Sequence, residues 1–292
     1  MIFGLLAGFA FAQTEKPVSP PITLKRTYEL GAHVAYQMTG LNEDRKAKRR
    51  YTARADGVVI KNSSGVFVED FAWSKVAWDG KPVELPPDSQ SFREGLSLDP
   101  KWNPGIPNLS RVSPKLIGPI TDLLTFYVDV YLPMRIGIFK KEGDHMRIPV
   151  GKASSWADGS HVIVGEDSID FDISLEKIDR GRSEATLIVH HVPPKKSILN
   201  LQADWMKTPV KDTPNNWVEV TKTDSGKFEA AVGKETFDVT IMVDLQNGAI
   251  KAATLENVVD VVERECSDST LSTPGPANQY RIHRRIVIRA VN

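Results

Sequence analysis

The chain has 292 residues, 41% of them apolar and 25% charged, the make-up of a globular protein with room for one large β domain or two smaller ones. Acids and bases balance at 37 each, which excludes a global field drawing the protein toward nucleic acid or an acidic membrane. Cys266 is its lone cysteine, so no intrachain disulfide can form and stability must come from the core.

Ile2 to Phe11 is an unbroken apolar run that closes on Ala10-Phe11-Ala12, ahead of the polar Gln13-Thr14-Glu15-Lys16. A short greasy segment followed by small-x-small is the pattern of a secretory signal peptide, although no Lys or Arg precedes the run. The reading is a signal peptide over 1–12 and a secreted or periplasmic protein. The run is half the roughly 20 residues that a spanning helix needs, so no integral membrane span is expected once the signal is removed. No cysteine follows the cleavage site, which argues against a lipid-modified N-terminus.

Residues 13–23 are proline-rich and polar, a flexible lead-in. From there, 24–292 reads as a single large β domain. Tyr28, Leu30, Ala32, Val34, Tyr36 and Met38 alternate with polar positions and predict a first strand. A second, Tyr51 to Lys61, ends at the turn Asn62-Ser63-Ser64-Gly65, and a third, Val66 to Trp78, ends at Asp79-Gly80. Eight prolines lie between Pro82 and Pro119, so this stretch reads as a long irregular loop, with Phe92, Leu96, Leu98 and Trp102 packing it down.

Gly118-Pro119 is expected to open one main amphipathic helix near 119–132, because proline fits the first helical position. Ile120, Leu123, Leu124, Tyr127 and Tyr131 form its apolar stripe, Asp122 and Asp129 share another face, and Pro133 is expected to stop it. Alternation resumes in Ser168–Leu175 and, after Asp179-Arg180-Gly181, in Ser183–Val192. Four prolines over 193–216 mark a candidate internal boundary. Phe237, Val239, Ile241, Val243 and Leu245, then Gln246-Asn247-Gly248, then Ala249–Val262 read as a hairpin, since Asn-Gly suits a type I′ turn. Tyr280–Val291 is the last strand.

These elements predict a mainly β fold: a large curved antiparallel sheet of about ten strands, half-barrel or sandwich-like, around one helix. In architecture alone it resembles the half-barrel of periplasmic lipoprotein carriers, whose concave face holds acyl chains. No motif carries that resemblance further.

His190-His191 cannot chelate one ion, because neighbouring strand side chains point to opposite faces. With no paired-Cys or H-E-x-x-H spacing, neither a metal site nor a cofactor is expected. Glu166, Asp167, Asp170 and Asp172 form an acidic cluster; Asp170 and Asp172 share a face about 7 Å apart, which suits either a carboxylate pair or a solvated strand face. Asp122 and Asp129 read as a polar helix face touching the proline-rich loop. The stripe Arg281, His283, Arg285, Arg289 reads as the partner of acids on the neighbouring strand, with Asp260, Glu263 and Glu265 available. The aromatic residues Trp73, Trp78, Phe126, Tyr127, Tyr131 and Trp156 are the candidate ligand-binding set. The leading expectation is an exported β-rich binding protein holding an apolar small molecule or lipid between sheet and helix. The alternatives are an extracellular hydrolase using the acidic cluster and an envelope interaction module without a small ligand.

Overall fold

The computed structural model describes residues 22, 24–105, 107–154 and 162–291. The predicted signal peptide, almost all of the lead-in and Trp156 lie outside them. Twelve strands form one antiparallel sheet: β1 (His33–Glu43), β2 (Lys48–Lys61), β3 (Phe67–Trp78), β4 (Lys81–Pro82), β5 (Glu94–Leu96), β6 (His145–Ser154), β7 (Val162–Asp179), β8 (Glu184–Val192), β9 (Trp217–Lys222), β10 (Phe228–Asp244), β11 (Ile250–Cys266) and β12 (Asn278–Ala290). Their order is β4-β3-β2-β1-β12-β11-β10-β8-β7-β6, with β5 added on β3. The strands β8 and β9 lie end to end between β7 and β10, each pairing with both. The sheet is mainly hairpins, as alternation with short polar turns dictates.

The first strand starts later than the alternation predicts. Gly31 has a φ of 83° and the chain turns at Leu30, which is exposed, so residues 24–29 run outside the regular ladder. The hairpin around Asn247-Gly248 is longer than predicted: β10 and β11 pair from Phe228↔Cys266 to Val243↔Ile250. The proline-rich stretch holds β4, β5 and a single helical turn, α1 (Pro87–Gln90), and buries Leu85, Leu96, Leu98 and Val112 in the main core.

The main helix, α2 (Pro114–Ile136), is longer at both ends than the prolines suggest. Pro114 holds the first helical position, and the Ser113 side chain caps the turn by accepting from the Lys115 N–H at 3.3 Å. Pro119 therefore falls inside the helix. Lacking an N–H, it leaves the Lys115 carbonyl without its intrahelical donor, and the Trp78 indole N–H donates there instead at 2.9 Å. Pro133 is likewise internal, and the helix ends at Gly137, whose φ of 56° is the left-handed conformation that glycine adopts without cost.

Curvature follows from what the helix touches. Tyr127 donates to Glu69 on β3, and Asp129 meets His191 on β8. Two residues apart on a helix is about 200° of rotation and 3 Å of rise. Strands β3 and β8 stand six places apart in the sheet order, roughly 29 Å if the sheet were flat. Opposite sides of one helix can reach both only if the sheet wraps around it. One core joins Tyr36, Phe71, Leu255, Ile241, Val189 and Ile173 from the concave face to Leu116, Ile120, Leu123, Phe126 and Val130 of α2. A second, smaller core lies on the outer face of β9 and β10. There the 193–216 segment lays Leu199, Leu201, Ala203 and Met206 over Val218, Val220, Ala230 and Val232, with Cys266 buried among them.

Candidate functional site

The predicted aromatic residues gather where sheet meets helix. Trp73, Phe126, Tyr127 and Tyr131 are 0–6% exposed and belong to the main core. Phe71 meets Tyr127 edge-on at 6.2 Å, Trp102 meets Tyr131 edge-on at 5.5 Å, and the Tyr131 hydroxyl donates to the Trp102 carbonyl. Trp78 is half-buried, tilted against Tyr51 and tied to Lys115. The aromatic residues thus pack the concavity with the helix seated in it, rather than lining an open cleft.

The helix is fastened by polar groups that point inward. Asp122 and Asp129 are 2% and 3% exposed. This corrects the expectation that they face the proline-rich loop: the helix turns both toward the concave face. Asp122 accepts from the Tyr51 hydroxyl and pairs with Arg284 of β12, and Asp129 meets His191 Nε2 at 3.1 Å. Tyr51 reaches inward because its ring lies over Gly40, where any Cβ would stand 1.9 Å from the ring. A third fastening runs from Tyr127 to Glu69, which pairs with Arg26 at 2.5 Å, while Tyr36 bonds the Tyr127 hydroxyl at 3.3 Å. Apolar contacts surround all three, so each fastening is shielded from water and electrostatically strong.

Beyond His191 and Arg284 the concave face is open and acidic. A cross-strand row Phe171, His191, Phe237, Asn257, Arg284 follows from the register, with His191 wedged edge-on against Phe171 at 3.9 Å. Past this row lies a cavity of about 230 Å³ lined by Asp167, Trp217, Glu219, Glu235, Phe237 and Asn257 among others. It continues toward a second, of about 380 Å³, lined by Glu219, Glu229, Glu263 and Tyr280 together with Arg45 and Lys46. Burial first, and the Asp167 charge second, push Glu235 up to about 8. Burial likewise pushes Asp167 up to about 6 and raises Glu219. At neutral pH one carboxyl of the cavity is thus protonated beside another that is mostly ionised.

The other predicted clusters lie apart from this cavity. Asp170 and Asp172 sit on the face opposite to Phe171 and Ile173, and Asp170 pairs with Arg147 at 3.1 Å. His190 points outward to Asp238. Three members of the basic stripe are matched across the β11–β12 ladder: Arg281 pairs with Asp260 at 2.8 Å, and His283 and Arg285 both pair with Glu256. A cleft of about 730 Å³ lies beside the segment 26–29, lined by His33, Arg54, Asp56 and Lys251 among others. Among the described residues no group of His, Cys, Asp or Glu is placed to hold a metal ion, and no helix is long and apolar enough to cross a membrane.

Sequence reasoning singled out Asp167 and passed over Glu235, Trp217, Asn257 and Arg284. The signal was present. Glu235 has the parity of Phe237, Val239 and Ile241, so it continues the buried face of the same strand.

No family model and no curated protein matches the chain. Among solved structures it is similar to one described as lipid–protein interactions in lipovitellin, at 8% identity and a TM-score of 0.38, over 91% of this chain and 26% of that one. The chain thus spans about a quarter of that structure's length.

Proposed function

We propose that this is an exported binding protein that takes an apolar, lipid-like ligand against the concave face of its sheet, in the space α2 occupies. The export part of the reading rests on the Ile2–Phe11 run. The observation that carries the ligand is the composition of the helix–sheet interface. A permanent core would be at least as stable with apolar residues at 122, 127 and 129, because buried ionic pairs seldom outdo apolar packing. Polar fastenings instead give two surfaces that can each be hydrated when they separate, and one defined register when they close.

Magnitudes select the ligand. The helix buries eight large apolar side chains, Leu116, Ile120, Leu123, Phe126, Tyr127, Val130, Tyr131 and Met134, worth about 12–24 kcal/mol together. A single acyl chain of about sixteen carbons returns about 13 kcal/mol on burial, and two chains return about 26. A two-chain lipid therefore matches the apolar coverage of the helix across that range, and a fatty acid matches only its lower end. Native mass spectrometry of the protein reisolated from dioleoylphosphatidylcholine vesicles checks this. The expected result is a one-to-one lipid adduct, stronger than the adduct formed with oleate. A protein that emerges without lipid from both incubations overturns the reading.

A further inference from the structure

The acidic cavity at the open end of the concave face shares Arg284 with the helix fastening at Asp122, but its carboxyls hold no part of α2. Glu235 is its most buried carboxyl: 6% exposed, on the same face of β10 as Phe237. Its Oε1 accepts from Asn257 Nδ2 at 3.1 Å, while its Oε2 is buried without a hydrogen-bond partner. Asp167 brings a second such oxygen, Oδ1, from β7. A buried acceptor left unmatched is costly, and here two residues that line one space of about 230 Å³ each carry one.

The chemistry of the lining narrows what fits. Its charged groups are Glu43, Asp44, Glu166, Asp167, Glu219 and Glu235 against Arg284, and Arg284 is paired with Asp122. A carboxylate only accepts hydrogen bonds, so the complement is a group that only donates; an ammonium has three donors and no acceptor. Trp217 and Phe237 supply aromatic surface for the methylenes or the cationic head. We propose that this cavity binds an organic primary ammonium group, with Glu235 and Asp167 receiving its N–H donors and Trp217 and Phe237 flanking its carbon chain.

Binding is coupled to a proton. Glu235 stands at about 8 in the unliganded protein, so an incoming ammonium ion displaces its proton, and affinity rises from pH 6 to pH 8.5. Among the polar groups that line the cavity with Glu235 are Glu166 and Asp167 from β7, Glu219 from β9, Asn257 from β11, Arg284 from β12 and Glu43 and Asp44 at the end of β1, and His191 of β8 lies opposite Phe237 in the ladder. The ligand itself stays charged over this range, since alkylamines titrate near 10.4 like lysine.

The test is calorimetric titration of the full chain with n-butylammonium, with Nα-acetyl-lysine methylamide, and with n-butanol as the neutral control. Saturable heat is expected from the ammonium ligands and none from butanol. At about pH 6.5, where Glu235 starts protonated, about one proton is expected to be released, read from the dependence of the heat on the ionisation enthalpy of the buffer. Glu235→Gln keeps the shape of the protonated side chain, so it folds, and it is expected to weaken binding at least tenfold at pH 8. Asp167→Asn serves as a second variant with the same expected direction. Binding of the free amine alone identifies a small-molecule source, and binding of the lysine derivative identifies a polypeptide side chain. No saturable heat up to about 10 mM, or equal binding by wild type and both variants, overturns the proposal. Lipid capture by α2 displacement is read separately, so failure of one leaves the other standing.

Discussion

Glu94 and Glu235 are carboxyls placed where water does not solvate their charge. Glu94 is 3% exposed with neither oxygen hydrogen-bonded, and burial holds it well above the usual carboxylate range. Glu235 is held at about 8. Unfolded, both lose their protons near 4.3. Between that pH and about 8 the native state therefore binds more protons than the unfolded state, and stability falls as pH rises. Urea unfolding is expected to give a higher midpoint at pH 5 than at pH 8. The double variant Glu94→Gln, Glu235→Gln is expected to flatten that slope, removing on the order of 3 kcal/mol of pH-dependent stability. A midpoint that rises from pH 5 to pH 8, or an unchanged slope in the double variant, contradicts the burial of these groups. Asp129 offers a complementary check. Asp129→Ala leaves His191 Nε2 without its hydrogen-bond partner and is expected to cost about 1–3 kcal/mol by the same unfolding measurement. These residues were the least legible in the sequence. A buried glutamate in a strand and a solvated one look alike until parity is traced from the strand's whole length, and Glu235 lies before the stretch whose alternation is clearest.

At the scale of elements, strand patterning carried far because side-chain period two and the turn residues act locally. Asn62 to Gly65, Asp79-Gly80 and Asn247-Gly248 all fall at hairpin ends. The helix is legible in its apolar stripe and not at its ends, because Pro119 and Pro133 have the signature of boundaries and lie inside it. Proline terminates a helix when its lost hydrogen bond finds no replacement; Trp78 supplies one at Lys115. That pairing is measurable by a double-mutant cycle. Trp78→Phe is expected to cost about 1 kcal/mol in the native sequence. It is expected to cost less in Pro119→Ala, where an alanine N–H reclaims the Lys115 carbonyl. Equal costs in both backgrounds would show that the indole N–H does not replace the missing bond. Packing of the same helix is checked by Leu123→Ala. This side chain is fully buried against the sheet, and the expected loss is about 2–5 kcal/mol.

For the whole molecule, a wide sheet with one apolar face and a single long helix implied that the sheet curls around the helix, and the opposed contacts of Tyr127 and Asp129 require it. What occupies the concavity was not legible. A groove for an acyl chain and a groove for a helix present the same apolar alternation, and aromatic residues such as Trp73, Phe126 and Tyr131 suit either. The structure seats α2 there and leaves the acidic end of the same face open. In the proposed exchange the helix is the occupant that leaves and the sheet is the frame that stays. Hydrogen exchange of peptides from 114–136, compared with those of β10 and β11, tests it with and without dioleoylphosphatidylcholine vesicles. With lipid, the helix amides are expected to exchange at least about tenfold faster while β10 and β11 keep their protection. Helix amides that remain as protected as those two strands under both conditions would contradict it.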